Sequence, residues 1–300
     1  MCLLTGATGF LGQQLLQELN SETLRLGRSA SNHIRCDLSI EIPVLPPVDI
    51  VIHNAGKAHV IPKTAAESNL FFQVNDQGTR HLLQALEAHP PNQFIFISTV
   101  SVYGREEGED INESHPLNGA TPYARSKIQA EAAVRNWCKD RGVPWVILRL
   151  PLIAGPNPPG NLGAIQRAIA RGRYFRITGN NARKSMVLAE DVARLIPQLQ
   201  GKTGIYNLTD GIHPTFAKIE NAIADALDKR IPLNLPQSLV KVIAKMGDGI
   251  KGLGLPFPLT TERLQKMTAT LTFSNQKARR ELGWRPRAVI PYIRAGGLRG

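Results

Sequence analysis

Short apolar runs alternate with helical patterns over the first 150 residues of the chain. The runs have the length of strands, and the segments between them repeat apolar residues at the spacing of an amphipathic helix. Strands that alternate with helices are typical of a parallel sheet covered on both faces. The pattern therefore predicts an α/β protein with a doubly wound parallel sheet and a ligand at the carboxyl ends of its strands. The predicted strands are Leu3–Thr5, Thr23–Leu26, a weak one near His33–Cys36, Asp49–His53, Gln93–Ser98 and Trp145–Arg149, and the predicted helices are Phe10–Leu19, Ala65–Ala88 and Pro122–Arg141.

The pattern changes after Leu150. A stretch rich in proline, glycine and asparagine, Pro151–Gly163, is expected to leave the sheet as a loop. Gly247-Asp248-Gly249 is expected to interrupt the apolar face of the basic stretch Leu239–Leu255, which favours a surface lid helix over a membrane anchor. Further predicted elements are a short helix at Ile165–Ala170, a return to the sheet over Met186–Leu199 and Ile205–Leu208, and helices of a smaller cap near Phe216–Leu227 and Leu239–Met246.

The net positive charge of the chain lies in its second half. The 300 residues carry a net charge of +12, but residues 1–150 hold 13 Lys/Arg and 15 Asp/Glu, whereas residues 151–300 hold 23 and 9. A basic half facing a ligand would attract an acidic small molecule such as a nucleotide diphosphate. Nucleic acid, anionic lipid and a plain solvated surface are the alternatives. An aromatic content of only 6% argues against nucleic acid.

Cysteine usage and hydropathy point to a cytoplasmic protein. The three cysteines are odd in number and lack metal-binding spacing, so we expect reduced thiols and no metal. The N-terminus shows no signal segment, and no apolar run approaches the about 20 residues that span a bilayer. We therefore expect no integral membrane segment.

Three glycines, Gly6, Gly9 and Gly12, follow the first predicted strand and open the first predicted helix. A helix N-terminus presents free backbone N–H groups and a partial positive charge, which suit a pyrophosphate. Glycine lets the backbone approach the phosphates closely. The alternative interpretation is a turn that only packs a helix on a strand.

Tyr123 and Lys127 stand four residues apart at the start of a predicted helix, so they share a face. A neighbouring ammonium is expected to lower the pKa of the phenol, which could then exchange a proton with an alcohol or a ketone. Thr99 lies just past the carboxyl end of the fifth strand, where a parallel sheet places its active site. The alternatives are a surface pair and a hydroxyl that only caps the strand.

Six motifs together carry a resemblance. In order they are GATGFLG (6–12), HNAG (53–56), VNDQGT (74–79), ISTVSVYG (97–104), YARSK (123–127) and LRLPLIAGP (148–156). Their order and spacing resemble those of the extended short-chain dehydrogenases/reductases of the NAD-dependent epimerase/dehydratase family. The segment 274–284 is similar to the end segment of nucleotide-sugar enzymes. Within the family the chain is most similar to bacterial UDP-sugar 4-epimerases and 4-keto reductases of surface-polysaccharide synthesis.

The resemblance implies a Rossmann-type NAD(P)-binding domain at 1–155, with a returning segment at about 184–210, and a substrate-binding cap at 156–183 and 211–300. It implies a nucleotide-diphosphate sugar as substrate and a homodimer formed through the two long helices. Tyr123 would be the acid/base, Lys127 would hold the nicotinamide ribose, and Thr99 would steady the reacting oxygen. The implied cofactor-binding residues are Gly6, Gly9, Phe10, Leu11, Gly12, Arg28, Asp37, Leu38, Ala55, Tyr123 and Lys127, and the implied substrate-binding residues are Thr99, Asn161, Arg183 and Arg263.

Two departures refine this expectation. The second strand ends in Gly27-Arg28-Ser29, without the acidic residue that grips the ribose 2′-hydroxyl of NAD, so NADP(H) is favoured and NAD(H) is the alternative. Val100-Ser101 follow Thr99 where the related 4,6-dehydratases carry Asp-Glu, which argues against dehydration. We expect hydride transfer at sugar C4, by an epimerase or, with slight preference, an NADPH-dependent 4-keto reductase. The second hypothesis is a non-catalytic NADP-binding regulator of the same fold.

Overall fold

The computed structural model describes residues 1–19, 22–231, 233–252, 255, 257 and 259–300. Strands β1 to β13 are Cys2–Thr5, Thr23–Gly27, Ile34–Arg35, Ile50–His53, Gln93–Thr99, Gly108–Ile111, Trp145–Leu150, Leu152–Ala154, Phe175–Thr178, Met186–Leu188, Gly204–Asn207, Leu233–Pro236 and Leu271–Phe273. Helices α1 to α11 are Phe10–Glu18, Ala65–Phe72, Gly78–Ala85, Pro122–Asp140, Gly160–Ala170, Ala189–Leu195, Phe216–Leu227, Gln237–Gly252, Thr261–Thr268, Gln276–Leu282 and Val289–Arg294.

A central parallel sheet organises the described part of the chain. Its strand order is β11-β7-β5-β4-β1-β2-β3, and every pairing is parallel. The order reverses between β1 and β4, which is the topological switch point of a doubly wound sheet. The prediction of a Rossmann-type α/β fold is confirmed. The remaining strands form small pairs, β8 with β10, β9 with β12 and β6 with β13.

Both faces of the central sheet are buried. Successive residues of β5 face opposite sides, so Ile95 joins one core with α1 and α6 while Phe94 and Phe96 join another with α3 and α4. This explains why the strands appear in the sequence as continuous apolar runs without polar alternation. The C-terminal segment reaches the first of these cores as well, because Leu282 and Trp284 pack there.

The long helix predicted at Ala65–Ala88 is divided in three. A π-helical segment, Gln73–Gln77, separates α2 from α3. The Asn75 side chain inside this segment accepts from Lys57 N–H and donates to the Ser126 hydroxyl at 2.9 Å. Such insertions are common at functional sites. Hydrophobic periodicity could not predict this one, because the contacts that stabilise it come from distant parts of the chain.

The helix predicted near Leu239–Met246 is longer than expected, since α8 runs on through Gly247-Asp248-Gly249 to Gly252. A Cβ at position 247 would stand 2.0 Å from the Leu259 carbonyl oxygen, so glycine permits a close approach there. Asp248 accepts the backbone N–H of Thr261 at 3.1 Å and holds the first turn of α9. Tertiary contacts therefore override the low helix propensity of glycine.

Two further predictions need correction. The segment Pro151–Gly163 is not a loop throughout, because it contains β8 and the start of α5. The predicted return to the sheet over Met186–Leu199 is wrong in its pairing: β10 pairs with β8 outside the central sheet, and α6 packs against α1. Ile205–Leu208 does return, as β11 beside β7. Short strands of equal hydrophobicity carry no information about their partners, which are chosen by the tertiary fold.

Candidate active site

A tight turn joins β1 to α1 next to the end of β4. Gly6 has φ +68°, and a Cβ there would lie 2.8 Å from the Ala55 backbone. A Cβ on Gly12 would lie 2.1 Å from the Gly6 carbonyl oxygen. Gly9 caps α1 without a side-chain hydrogen bond, so no capping side chain occupies the N-terminus of this nine-residue helix. These features fit the pyrophosphate of a dinucleotide, as the sequence predicts.

Arg28 and Asp37 lie close together, just past the ends of the paired strands β2 and β3. The Arg28 side chain is 79% exposed, and its Nη1 is 4.0 Å from Asp37 Oδ2. Asp37 also accepts the N–H and the hydroxyl of Ser39. Partial burial acts to raise the pKa of this carboxyl, but the Ser39 hydrogen bonds and the Arg28 cation leave it below its usual value. Asp37 is therefore anionic, and the adjacent Leu38 is buried.

Lys127 extends from α4 to the end of β5. Its Nζ donates to the Ile97 carbonyl oxygen at 2.7 Å and lies 3.9 Å from the centroid of the Phe96 ring. Only 4% of the residue is exposed. Burial lowers the pKa of Lys127 to about 7, although the Glu131 carboxylate acts to raise it. At neutral pH this amine is therefore only partly charged.

Tyr123 lies near Thr99 at the end of β5, where Lys127 also reaches the strand. Thr121 caps α4 by accepting the Ala124 N–H at 3.1 Å, which fixes the first turn that carries Tyr123. The phenol ring lies 6.2 Å from that of Phe71. Burial raises the pKa of Tyr123, and the neighbouring Thr99 side chain offsets this only in part.

The raised pKa of Tyr123 corrects one expectation from the sequence. The sequence suggested that the Lys127 ammonium would lower the pKa of Tyr123, but the tyrosine is raised and the lysine is itself lowered. The physical reason is desolvation of both groups, together with the direction of the Lys127 amine, which bonds the Ile97 carbonyl. In this structure the site holds a protonated phenol.

Sequence reasoning missed a buried polar chain behind the glycine turn. His53 bonds the hydroxyls of Thr5 at 2.7 Å and Thr79 at 2.9 Å, and Thr5 Oγ1 accepts the Ala55 N–H. Burial, and secondarily the Lys127 charge, lower the pKa of His53 to about 3, so its ring is neutral. The signal was present in the motifs at 53–56 and 74–79, whose polar residues lie in otherwise apolar elements.

Three of the four predicted substrate-binding residues lie on different segments of the second half of the chain. Asn161 is exposed in the first turn of α5, and Arg263 is exposed in the first turn of α9. The Arg183 guanidinium donates to the carbonyls of Ile212 and His213, both at 3.1 Å. It lines a polar cavity of about 280 Å³ whose other lining residues do not include Tyr123, Lys127 or Thr99.

The described residues contain neither a membrane-spanning helix nor a cluster of metal ligands. Within the described ranges, no helix has the length and apolar character needed to cross a membrane. Among the same residues, no group of three or more His, Cys, Asp or Glu side chains could hold a metal ion.

A glycine cradle at the switch point, with tyrosine, lysine and threonine at the end of β5, is the arrangement of a dinucleotide-dependent enzyme. The model of the NAD dependent epimerase/dehydratase family matches residues 2–208. The chain belongs to this family.

Relatives match over nearly the whole length. N-acetyl-alpha-D-glucosaminyl-diphospho-ditrans,octacis-undecaprenol 4-epimerase of Escherichia coli O157:H7 is 26% identical, covering 99% of this chain and 92% of that protein. UDP-glucose 4-epimerase of Vibrio cholerae is also 26% identical, covering 95% and 90%. The structure of UDP-glucose 4-epimerase from Thermus thermophilus with NAD has a TM-score of 0.72 at 23% identity, covering 98% and 96%, and shows a common fold.

Proposed function

We propose that this chain transfers hydride at C4 of a nucleotide-linked hexose, as an NAD(P)-dependent 4-epimerase or, with slight preference, an NADPH-dependent 4-keto reductase. The observation that carries the proposal is the meeting of Tyr123, Lys127 and Thr99 at the carboxyl end of β5. This edge of the sheet is also where the glycine cradle opens. A bound nicotinamide cofactor would supply or accept the hydride.

The chain's own residues move the proton. The Tyr123 hydroxyl exchanges it with the C4 oxygen of the sugar, and Thr99 holds that oxygen in place. Lys127 keeps the ribose of the cofactor beside the phenol. Burial raises the pKa of the phenol, so Tyr123 holds a proton that it can donate to a C4 ketone. The reductase and the second half of the epimerase reaction share this step.

Arg28 supports NADPH as the cofactor. Its guanidinium is mostly exposed at the end of β2 and is free to bond a ribose 2′-phosphate in a bidentate way. Asp37 stands 4.0 Å away and would weaken that attraction, so NADH remains the alternative. Asp37 and Leu38 would flank the adenine.

A hexose carried on a diphosphate is the proposed substrate. The two relatives act, by their names, on UDP-glucose and on an N-acetylglucosaminyl diphosphate linked to a polyprenol, and both substrates share this unit. The positive second half of the chain, including Arg183 and Arg263, would attract it, with Asn161 as a further contact. We further propose a cytoplasmic homodimer formed through α2–α3 and α4, with a nucleotide-binding unit at 1–155 and 184–210 and a cap made of the rest.

Incubation with UDP-hexoses and their 4-keto forms, with and without NADPH, tests the proposal. Product identity by NMR separates isomerisation, which leaves the cofactor balance unchanged, from net reduction, which consumes NADPH. The Tyr123→Phe variant should lose at least about a thousandfold in turnover while still binding cofactor. Tyr206→Phe is the matched control, because its hydroxyl bonds Thr203 and Glu281 at the sheet edge.

The alternative, a non-catalytic NADP-binding regulator, makes the opposite prediction. A regulator keeps its output when Tyr123 becomes Phe, and shows no turnover with any member of the panel. Tighter binding of NADH than of NADPH in a fluorescence titration would remove the preference for the reductase.

A further inference from the structure

A buried ion pair lies one turn beyond Lys127. Glu131 and Arg149 are 2% and 1% exposed, and they bond through two contacts, Nε to Oε1 at 3.1 Å and Nη2 to Oε2 at 2.6 Å. Ser98 donates its hydroxyl to the same carboxylate at 2.5 Å. Glu131 lies on α4, Ser98 on β5 and Arg149 on β7. One carboxylate therefore ties the helix of the site to two central strands.

The contacts of the pair continue to Tyr103 and Asn207. The Arg149 guanidinium carbon stacks 4.9 Å from the centroid of the Tyr103 ring, and Tyr103 donates to Asn207 at 2.7 Å. Arg149 Nη1 is buried without a hydrogen-bond partner among the described residues. The guanidinium is thus incompletely bonded, and its charge is balanced by Glu131.

The position of the pair relative to the reacting groups is specific. Lys127 bonds the carbonyl of Ile97, Glu131 bonds the side chain of Ser98, and Tyr123 contacts Thr99. Three successive residues of β5 are therefore held by three residues of α4 that are spaced one turn apart. A shift of α4 along the sheet would separate Glu131 from Ser98 on β5 and from Arg149 on β7.

We propose that Glu131 and Arg149 form a positioning unit that fixes Tyr123 and Lys127 against Thr99. The inference rests on the proposed function. Stability is a weak explanation for the pair, because replacing a buried ion pair by apolar residues of similar volume is often neutral or stabilising. What the pair adds is a single alignment of α4 on the sheet. The two-point contact between Glu131 and Arg149 and the bond from Ser98 to Glu131 can form only in that alignment.

A double variant separates an effect on the alignment of α4 with the sheet from an effect on protein stability. Glu131→Leu alone leaves the Arg149 cation buried without a counter-ion and should lower the Tm by about 5–10 °C. Combining it with Arg149→Met removes both charges and should restore the Tm to within about 3 °C of the unsubstituted chain. If the pair positions the site, kcat of the double variant stays at least about tenfold low, whereas KM for NADPH changes by less than about threefold.

Two further variants complete the test. Ser98→Ala leaves the ion pair intact and cuts only its bond to β5, so kcat should fall about threefold or more at a nearly unchanged Tm. Glu220→Gln is the matched control: Glu220 is a buried carboxylate bonded to Tyr174 and Arg176 in the cap, and its loss should lower the Tm without the same loss of kcat.

The outcomes are distinct. Recovery of kcat together with Tm in the double variant overturns the positioning role and leaves a structural one. If the double variant does not fold, Ser98→Ala decides, and full activity in that variant overturns the proposal. Absence of turnover by the unsubstituted chain on the whole panel is the failure of the proposed function itself, and the positioning role then falls with it.

Discussion

Replacing Lys127 by Met should remove activity and, at acidic to neutral pH, make the protein more stable. Lys127 is 4% exposed, and burial lowers its pKa from 10.5 to about 7. At about 1.36 kcal/mol per pH unit, this shift means that keeping the amine charged in the folded protein costs about 5 kcal/mol. Methionine has nearly the same length and carries no charge, so it avoids this cost.

The free energy lost with the hydrogen bond of Lys127 is smaller than the cost that methionine avoids. Methionine cannot donate to the Ile97 carbonyl, and the loss of that hydrogen bond costs about 1–3 kcal/mol. The net gain in unfolding free energy is therefore about 2–4 kcal/mol at pH 6. Between pH 7 and 10.5 the unfolded chain holds the lysine proton and the folded chain does not, so the lysine protein gains stability as pH rises. The advantage of the variant should shrink by about 1.36 kcal/mol per unit across that window.

Urea unfolding at pH 6, 7.5 and 9 measures this difference. Lys139→Met is the control on the same helix, because Lys139 is exposed and its replacement does not remove a buried charge. A Lys127→Met difference of equal size at pH 6 and pH 9 would refute the reasoning, since the slope does not depend on how the methionine packs. Turnover of the variant should fall by at least about a hundredfold.

Three other outcomes follow from the site. Gly12→Ala should abolish cofactor binding in equilibrium dialysis, because its Cβ would lie 2.1 Å from the Gly6 carbonyl oxygen. Arg28→Ser should weaken NADPH binding about tenfold and leave NADH binding nearly unchanged in a fluorescence titration; equal losses would contradict the 2′-phosphate role. With a folded-state pKa of about 3 against 6.5 unfolded, His53 should remove about 1.4 kcal/mol of unfolding free energy per pH unit as the pH falls from 6.5 toward 3. A His53→Asn variant should lack that slope in urea unfolding.

The central sheet was predictable because its strands are buried on both faces. Runs such as Gln93–Ser98 need no knowledge of their neighbours to be recognised, and the observed β5 differs from the prediction by a single residue. The glycine turn was predictable for a similar reason, since a local backbone requirement dictates the residue type. Both signals are contained within a few adjacent positions.

The parts that sequence reasoning missed depend on distant contacts. The π-helical segment follows from Asn75 bonding Lys57 and Ser126, and β10 pairs with β8 instead of the central sheet. The protonation of Tyr123 was missed for the same reason. Spacing shows that Lys127 is one turn away, but only the fold shows that its amine is desolvated and bonded to Ile97.

Helix α4 places three ionisable residues, Tyr123, Lys127 and Glu131, at intervals of four on the face that meets the sheet. The neighbouring Ala130 and Val134 show that apolar residues fit this interface. At Lys127 alone, burial of charge opposes folding by several kcal/mol, so stability would favour apolar residues throughout. A helix that keeps an ionisable stripe against a parallel sheet therefore maintains it for chemistry, at the cost of stability. Such a stripe at i, i+4 and i+8 in an otherwise apolar-faced helix is a signal that sequence alone contains, and it would have drawn attention to Glu131 as well as to the tyrosine and lysine.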